Sequence, residues 1–161
     1  MRLLPWQPDD WLLLRPIGTD PQVMRYISDG KPWPDEQIRE FVGRQVSQFD
    51  RLGYCLWKLL LKETSEMIGF CGLQPLDSTA ETEIGWWLAR ARWGQGLATE
   101  AARAALLDGF ERAGLARIVA VALAANRASI HVMGKLGMTY EREMVHRGLD
   151  VVLYAVNRPG Q

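Results

Sequence analysis

Apolar residues recur along this chain with two periods, and the switching between them outlines a fold. Ile38, Phe41, Val42, Val46 and Phe49 lie three or four apart, the stripe of a helix running from Pro34 to Leu52, and Gly53 ends it. Val23, Met24 and Ile27 predict a shorter helix from Asp20 to Ile27. Asp20 is its N-cap and Pro21 its first residue, where a missing N–H leaves nothing unsatisfied. A third helix, about Thr99 to Ala113, shows a small-residue face of Ala98, Ala101, Ala102, Ala105 and Gly109 beside Leu106 and Phe110, with Gly114 past its end. Asn126 to Leu136, stopped by Gly137, predicts a fourth.

Shorter apolar runs between turn residues read as strands. Tyr54–Leu61 and Glu66–Leu73 form a hairpin around Lys62–Ser65. Glu81–Leu88 is another strand, and Gly85 inside it predicts a bulge or the close approach of another group. Arg117–Ala125 is apolar nearly throughout, as a strand covered on both faces would be. Met138–Val145 and Asp150–Val156 are two more, around a loop at His146–Leu149. Asp9–Arg15 reads as a short strand or extended start, and Asp29–Pro34 as a loop. The order β, α, α, β, β, β, α, β, α, β, β predicts an α/β fold, with an antiparallel front and a strand–helix–strand–helix core. No repeat, linker or low-complexity tract divides residues 1–161, so one domain is expected.

Composition narrows the function. Nineteen basic and nineteen acidic residues cancel in 161, which gives no support to a strongly basic nucleic-acid-binding domain. Pro5, Pro8, Asp9 and Asp10 interrupt the apolar N-terminus, and no apolar run approaches the ~18 residues of a membrane span. Two cysteines, Cys55 and Cys71, make neither a disulfide framework nor a metal motif. A cytoplasmic protein with no metal, nucleic-acid or membrane partner is expected, and exposed apolar edges leave a homodimer open.

The most specific stretch is Trp93-Gly94-Gln95-Gly96-Leu97-Ala98-Thr99, between a strand and a helix. A helix N-terminus leaves N–H groups unpaired and carries partial positive charge, so it suits an anion. Glycines at 94 and 96 let that backbone wrap a phosphate. No Gly-Lys-Ser/Thr follows, so it is not a Walker A loop. Thr99 stands at the third glycine position, so it is not the dinucleotide fingerprint. A plain tight turn fits it too.

Further residues settle on a family. The run Asn126–Met138 resembles the Asn-x-x-Ala/Ser…Lys-x-Gly-Phe segment of the GNAT N-acetyltransferase superfamily, and Trp93–Ala98 is similar to its pyrophosphate loop. With EIGWWL and GFCGL before them, the motifs look like the RimJ/RimL branch, which acetylates ribosomal-protein N-termini, over roughly Asp9 to Tyr154. The resemblance implies a mostly antiparallel central sheet with a splayed strand pair, flanked by helices, and acetyl-CoA as cofactor. It also implies that Trp86, Trp87 and Leu88 offer backbone groups to the pantetheine arm, with Gly85 marking the bulge. Trp93, Gly94, Gln95, Gly96, Leu97, Ala98 and Thr99 would hold the pyrophosphate, and Asn126 and Ser129 would meet the cofactor arm. Tyr26, Trp33 and Tyr54 would line the acceptor groove. Other readings coexist: Asn126 as a helix N-cap, Trp86 and Trp87 as core on opposite faces of a strand, and Tyr26, Trp33 and Tyr54 equally as core. Two positions depart from the family pattern. Trp93 replaces the usual Gln or Arg, and Met133 occupies the place of a tyrosine general acid seven residues after the asparagine.

Acyl transfer from a thioester to an amine needs a base, a polarised carbonyl and a proton for the thiolate. A backbone N–H near Trp87 or Leu88 would meet the carbonyl. Glu83, on the same strand face as Gly85 and Trp87, is a candidate base, and His146, in the loop before the last strand, is its rival. Ser129 is the candidate donor to the thiolate. Each also has an ordinary reading, as a solvated strand residue, a surface histidine and a cofactor contact. Glu141 and Glu143 read as solvated, His131 has no assigned role, and both cysteines read as packed thiols. The expected activity is acetylation of a primary amine, on a protein N-terminus or a small molecule, by direct attack in a ternary complex. The alternative is a non-catalytic acyl-CoA-binding module, and a third reading is a structural domain without cofactor.

Overall fold

The computed structural model describes residues 1–160. One seven-stranded sheet carries the fold, in the order β1-β2-β3-β4-β5-β7-β6, and every neighbouring pair is antiparallel except β4–β5. The strands are β1 (Arg2–Leu4), β2 (Leu56–Leu60), β3 (Met67–Pro75), β4 (Thr82–Leu88), β5 (Arg117–Ala122), β6 (Thr139–His146) and β7 (Leu149–Asn157). The helices are α1 (Trp11–Gly18), α2 (Pro21–Met24), α3 (Asp35–Leu52), α4 (Leu97–Glu111) and α5 (Arg127–Lys135). This is the expected α/β architecture, mostly antiparallel, with helices on both faces.

Each face of β3 and β4 meets a different helix. On one, Phe41 of α3 packs on Phe70 with ring centroids 4.9 Å apart and stacks with Trp87 at 6.0 Å, while Trp33 meets Trp87 edge-on at 4.7 Å. Burying such rings contributes ~2 kcal/mol each. On the other face α4 lies close enough that a Cβ at Gly109 would sit 2.8 Å from both Leu73 Cδ1 and Ile118 Cδ1. The small-residue stripe of α4 is therefore what lets the helix approach the sheet.

One N-terminal expectation fails, and one strand there was not expected. Asp9–Arg15 is not extended: a 3₁₀ turn at Pro8–Asp10 leads directly into α1. The Asp10 carboxylate accepts the Gln7 N–H at 2.6 Å, and Leu14, Ile17 and Gly18 are buried against α3, so capping and packing outweigh the extended look of a Trp-Leu-Leu-Leu run. Strand β1 was not foreseen, because three residues become a strand only by pairing with Lys58–Leu60. Gly85 is not a bulge either. The β3–β4 register runs unbroken from Gly69↔Leu88 to Pro75↔Thr82, through Gly72↔Gly85. Nor is Glu141 merely solvated, since both its oxygens accept from Arg117 at 2.6 Å.

Candidate active site

The site begins where β4 and β5 part. Ala89 N–H donates to Ile68 C=O at 2.8 Å, so by the alternation of an antiparallel ladder Trp87, Gly85 and Glu83 turn their main-chain groups toward β3. Ile84, Trp86 and Leu88 turn theirs toward β5. There the two strands share a single register position, Glu83↔Val119, and then diverge. The main-chain groups of Trp86 and the Leu88 N–H are left facing the gap, while the Leu88 carbonyl accepts the Trp93 indole N–H at 2.9 Å. The open amides thus belong to Trp86 and Leu88. That of Trp87 is spent on β3, and its half-buried ring packs against the core where it borders both clefts.

One end of the gap is closed by the α4 N-terminus. Gly94 and Gly96 have φ of +72° and +75°, and a Cβ at either would meet nothing within 4 Å. The glycines are needed for the left-handed backbone rather than for clearance. Gly96 brings no side-chain cap, and the first helical bond is Glu100 N–H to Gly96 C=O, so the amides of Leu97, Ala98 and Thr99 stay unpaired. They open into a cleft of about 540 Å³ whose walls include Tyr26, Trp86, Leu88, Trp93, Asn126 and Ser129. Gln95 does not line it; its side chain donates to Ala91 C=O and braces the loop from outside. Arg25, Arg92 and Lys135 do line it beside His131, a basic rim that sequence reasoning missed, in which the Arg92 guanidinium is paired with Glu66. Lys135 follows Ala128 and His131 at helical spacing in a segment already singled out, so periodicity alone was a signal for it. Arg92 Nε is buried without a hydrogen-bond partner.

A second cleft, of about 820 Å³, lies against the first. Both share Tyr26, Ile27, Trp86, Trp87, Asn126 and Ser129. Glu83, Trp33, Met133 and His146 line only the second, with Gln37, Arg44, Gln48 and Arg51 of α3 along one wall. Tyr54 lines neither; it packs on the core beside Gln48, so its groove assignment is withdrawn. Trp33 is in the groove, 9% exposed, with a buried indole N–H that finds no partner.

Of three expected chemical residues, Ser129 stands where the clefts meet, while Glu83 and His146 line the larger one. Glu83 is 7% exposed, and its Oε1 accepts from Gln74 Nε2 at 2.7 Å. Burial raises its carboxyl to about 7, against the opposing effects of that hydrogen bond and of Arg147. Burial and the neighbouring Arg147 move His146 down from the usual imidazole value, against the opposing effect of Asp77. Ser129 stands in the first turn of α5, where Asn126 Oδ1 accepts its N–H at 3.3 Å. Asn126 is therefore an N-cap through its oxygen, which leaves its NH₂ for the cleft. Met133 is buried and carries no proton to give. Burial pushes the Cys55 thiol up to about 12 and Cys71 higher still, so neither is a ready nucleophile. Among the described residues no group of three or more His, Cys, Asp or Glu could hold a metal, and no helix is long and apolar enough to cross a membrane.

Residues 1–139 match the family described as the acetyltransferase (GNAT) domain. The chain belongs to that family. An uncharacterized Bacillus subtilis (strain 168) protein, YkkB, is 36% identical over 140 residues, 86% of this chain and 80% of its own. The structure of a GNAT-family acetyltransferase from Bacillus anthracis superposes with a TM-score of 0.82 at 26% identity, covering 97% of this chain and 93% of that one. RimL, the ribosomal L7/L12 N-acetyltransferase solved with coenzyme A, superposes at 0.80 over 99% of this chain and 94% of its own. Its 20% identity shows a shared fold and leaves the RimJ/RimL branch unassigned.

Proposed function

We propose that this GNAT domain transfers an acetyl group from acetyl-CoA to a primary amine by direct attack. The observation that carries this is the meeting of the two clefts at Trp86, Asn126 and Ser129, with the Glu83 carboxyl on the acceptor side. The smaller cleft fits the cofactor chemically. Its unpaired α4 amides and basic rim suit a diphosphate, and the open main chain of Trp86 and Leu88 suits an amide-bearing arm. Bound there, acetyl-CoA supplies an activated thioester carbonyl. Glu83, whose carboxyl burial lifts to about 7, takes the proton that the ammonium must lose before its nitrogen can attack. Trp86 or Leu88 N–H would polarise the carbonyl; as the C–N bond formed and the C–S bond broke, the Ser129 hydroxyl would give its proton to the departing thiolate and take the second proton released by the new amide nitrogen. His146 borders the same cleft.

The acceptor side has its own charge balance. Asp77 is paired with Arg147 at 2.8 Å, whereas Arg44 and Arg51 have no carboxylate within 4.0 Å among the described residues. An amine that also bears a negative group, either a small molecule or a protein N-terminus near acidic residues, suits this wall better than a polycation. A ribosomal-protein N-terminus of the RimJ/RimL kind is one form such an acceptor takes.

Calorimetric titration with acetyl-CoA, followed by thiol release against amines with and without a carboxylate, tests this reading. Binding with amine-dependent release supports it. Binding without release under every amine supports an acyl-CoA-binding module, the reading favoured by Met133. Absence of binding would reduce the α4 loop to a helix start.

A further inference from the structure

Glu83 is the end of a chain of hydrogen bonds that begins on the main chain of β2. Leu56 sits next to the Cys55–Leu73 pair, in which Leu73 N–H donates to Cys55 C=O, so the groups of Leu56 face away from β3. On that side β1 reaches only to Lys58, and Leu56 has no strand partner. Its two main-chain groups are met by side chains instead. The carbonyl accepts the Trp6 indole N–H, and the N–H donates to Gln45 Oε1 at 2.9 Å.

That one donor sets the direction of everything after it. A backbone N–H can only donate, so the Gln45 oxygen must face Leu56 and its NH₂ must face the other way. Gln45 Nε2 meets Gln74 Oε1 at 3.3 Å, which turns the Gln74 NH₂ toward Glu83 Oε1 at 2.7 Å. Reversing either carboxamide would set oxygen against oxygen or donor against donor. Gln45 and Glu83 are both buried, where such a mismatch costs ~1–3 kcal/mol. Gln74 and Glu83 are cross-strand partners on one sheet face, and Gln45 comes from α3 above them.

We infer that Gln45 and Gln74 form a one-way relay that holds Glu83 Oε1 as a permanent hydrogen-bond acceptor and leaves Oε2 as the oxygen that takes the proton. They are positioning residues, and the role rests on Glu83 being the base proposed above. With Oε1 held, the carboxyl has one rotamer and one basic atom, which a general base needs if the proton is to travel in a fixed direction. The groups around it act in opposite senses. Gln74 and Arg147 favour the ionised form, Asp77 opposes it, and His146, Arg44 and Arg51 border the same cleft.

The test is a carboxyl-carbon NMR titration of Glu83 in the full chain, in wild type, Gln74→Leu and Gln45→Leu, with acetyl-CoA affinity as a check of the fold. Gln74→Leu is expected to raise the Glu83 midpoint by on the order of one pH unit. Gln45→Leu, which does not touch Glu83, is expected to raise it by a smaller amount, because Gln74 is freed to turn. The acid limb of the pH–rate profile should move with each midpoint, so that the rate at pH 7 falls roughly five-fold in Gln74→Leu. A midpoint unchanged in Gln74→Leu, or in Gln45→Leu alone, overturns the relay. Should either variant fail to fold, the wild-type Gln74 and Gln45 side-chain NH₂ signals must titrate together with Glu83; if they stay flat, the relay is wrong. The NMR readout needs no acceptor, so a protein that titrates as expected yet releases no thiol would remove the proposed function and leave the hydrogen-bond chain standing.

Discussion

The two clefts that meet at Trp86 are made in different ways. The smaller offers its ligand main-chain groups, the unpaired amides of Leu97–Thr99 and two gap-facing strand amides, supplied by one continuous stretch from β4 into α4, with residues 22–27 and α5 walling the sides. The larger is made of side chains from places far apart in sequence, Trp33 and Arg44 before and on α3, Gln74 and Glu83 on the β3–β4 pair, and His146 at the end of β6. A main-chain site is robust to side-chain change but needs glycine where φ is positive. A side-chain site is retuned by single substitutions. The first suits a cofactor that never varies, the second an acceptor that does.

The comparison is most sharply tested at Glu83. Glu83→Gln is expected to lower kcat by ~10²–10⁴-fold while acetyl-CoA affinity, measured by calorimetry, stays as it was. A similar loss of both would mean that the clefts are not separable. The same substitution should stabilise the fold above neutral pH. The folded carboxyl titrates at about 7 against 4.5 for the free group, so the native state holds more protons between those values and loses stability as pH rises through them. The difference is worth ~3 kcal/mol at pH 8. Thermal unfolding of wild type and variant at pH 5 and pH 8 reads it, and equal pH dependence would contradict the burial of the charge.

Gly96→Val tests the other cleft. It forces a β-branched residue into φ +75°, at ~1–2 kcal/mol of stability, and should weaken acetyl-CoA binding at least ten-fold with the helices retained by circular dichroism. Unchanged affinity would remove the loop from the site. A smaller effect is expected for Lys135→Ala, a roughly three- to ten-fold loss of acetyl-CoA affinity that shrinks as salt is raised. Smallest is Arg44→Gln, expected to raise KM a few-fold for carboxylate-bearing amines and to leave their neutral amides unaffected. Equal change for both would show the arginine to be a bystander.

How far each cleft could be read beforehand follows from this difference. The α4 loop was legible because its glycines, helix start and preceding strand are neighbours in sequence. Gly85 and Tyr54 were misread because a glycine in a strand and an aromatic before one have several local meanings, and only the register and the packing choose among them. Gln95 was counted with its neighbours because sequence cannot tell an amide that faces a cleft from one whose residue turns outward. Glu83 was picked out by strand alternation, yet the relay behind it was invisible, since Gln45, Leu56 and Gln74 are brought together only by α3 crossing the sheet.

By itself the sequence determined the order of elements from β2 onward, the helix stripes of α3 and α4, the left-handed glycine loop and the family. All of these are written in residues within a turn or a strand of one another, where periodicity and backbone preference act. The tertiary structure decided where β4 leaves β5, which of its amides are left open, that Arg44 and Arg51 face a cleft without partners, and that Glu83 is buried enough to titrate near neutrality. Burial, strand register and charge balance are sums over residues distant in the chain, and those sums exist only once the chain has closed on itself.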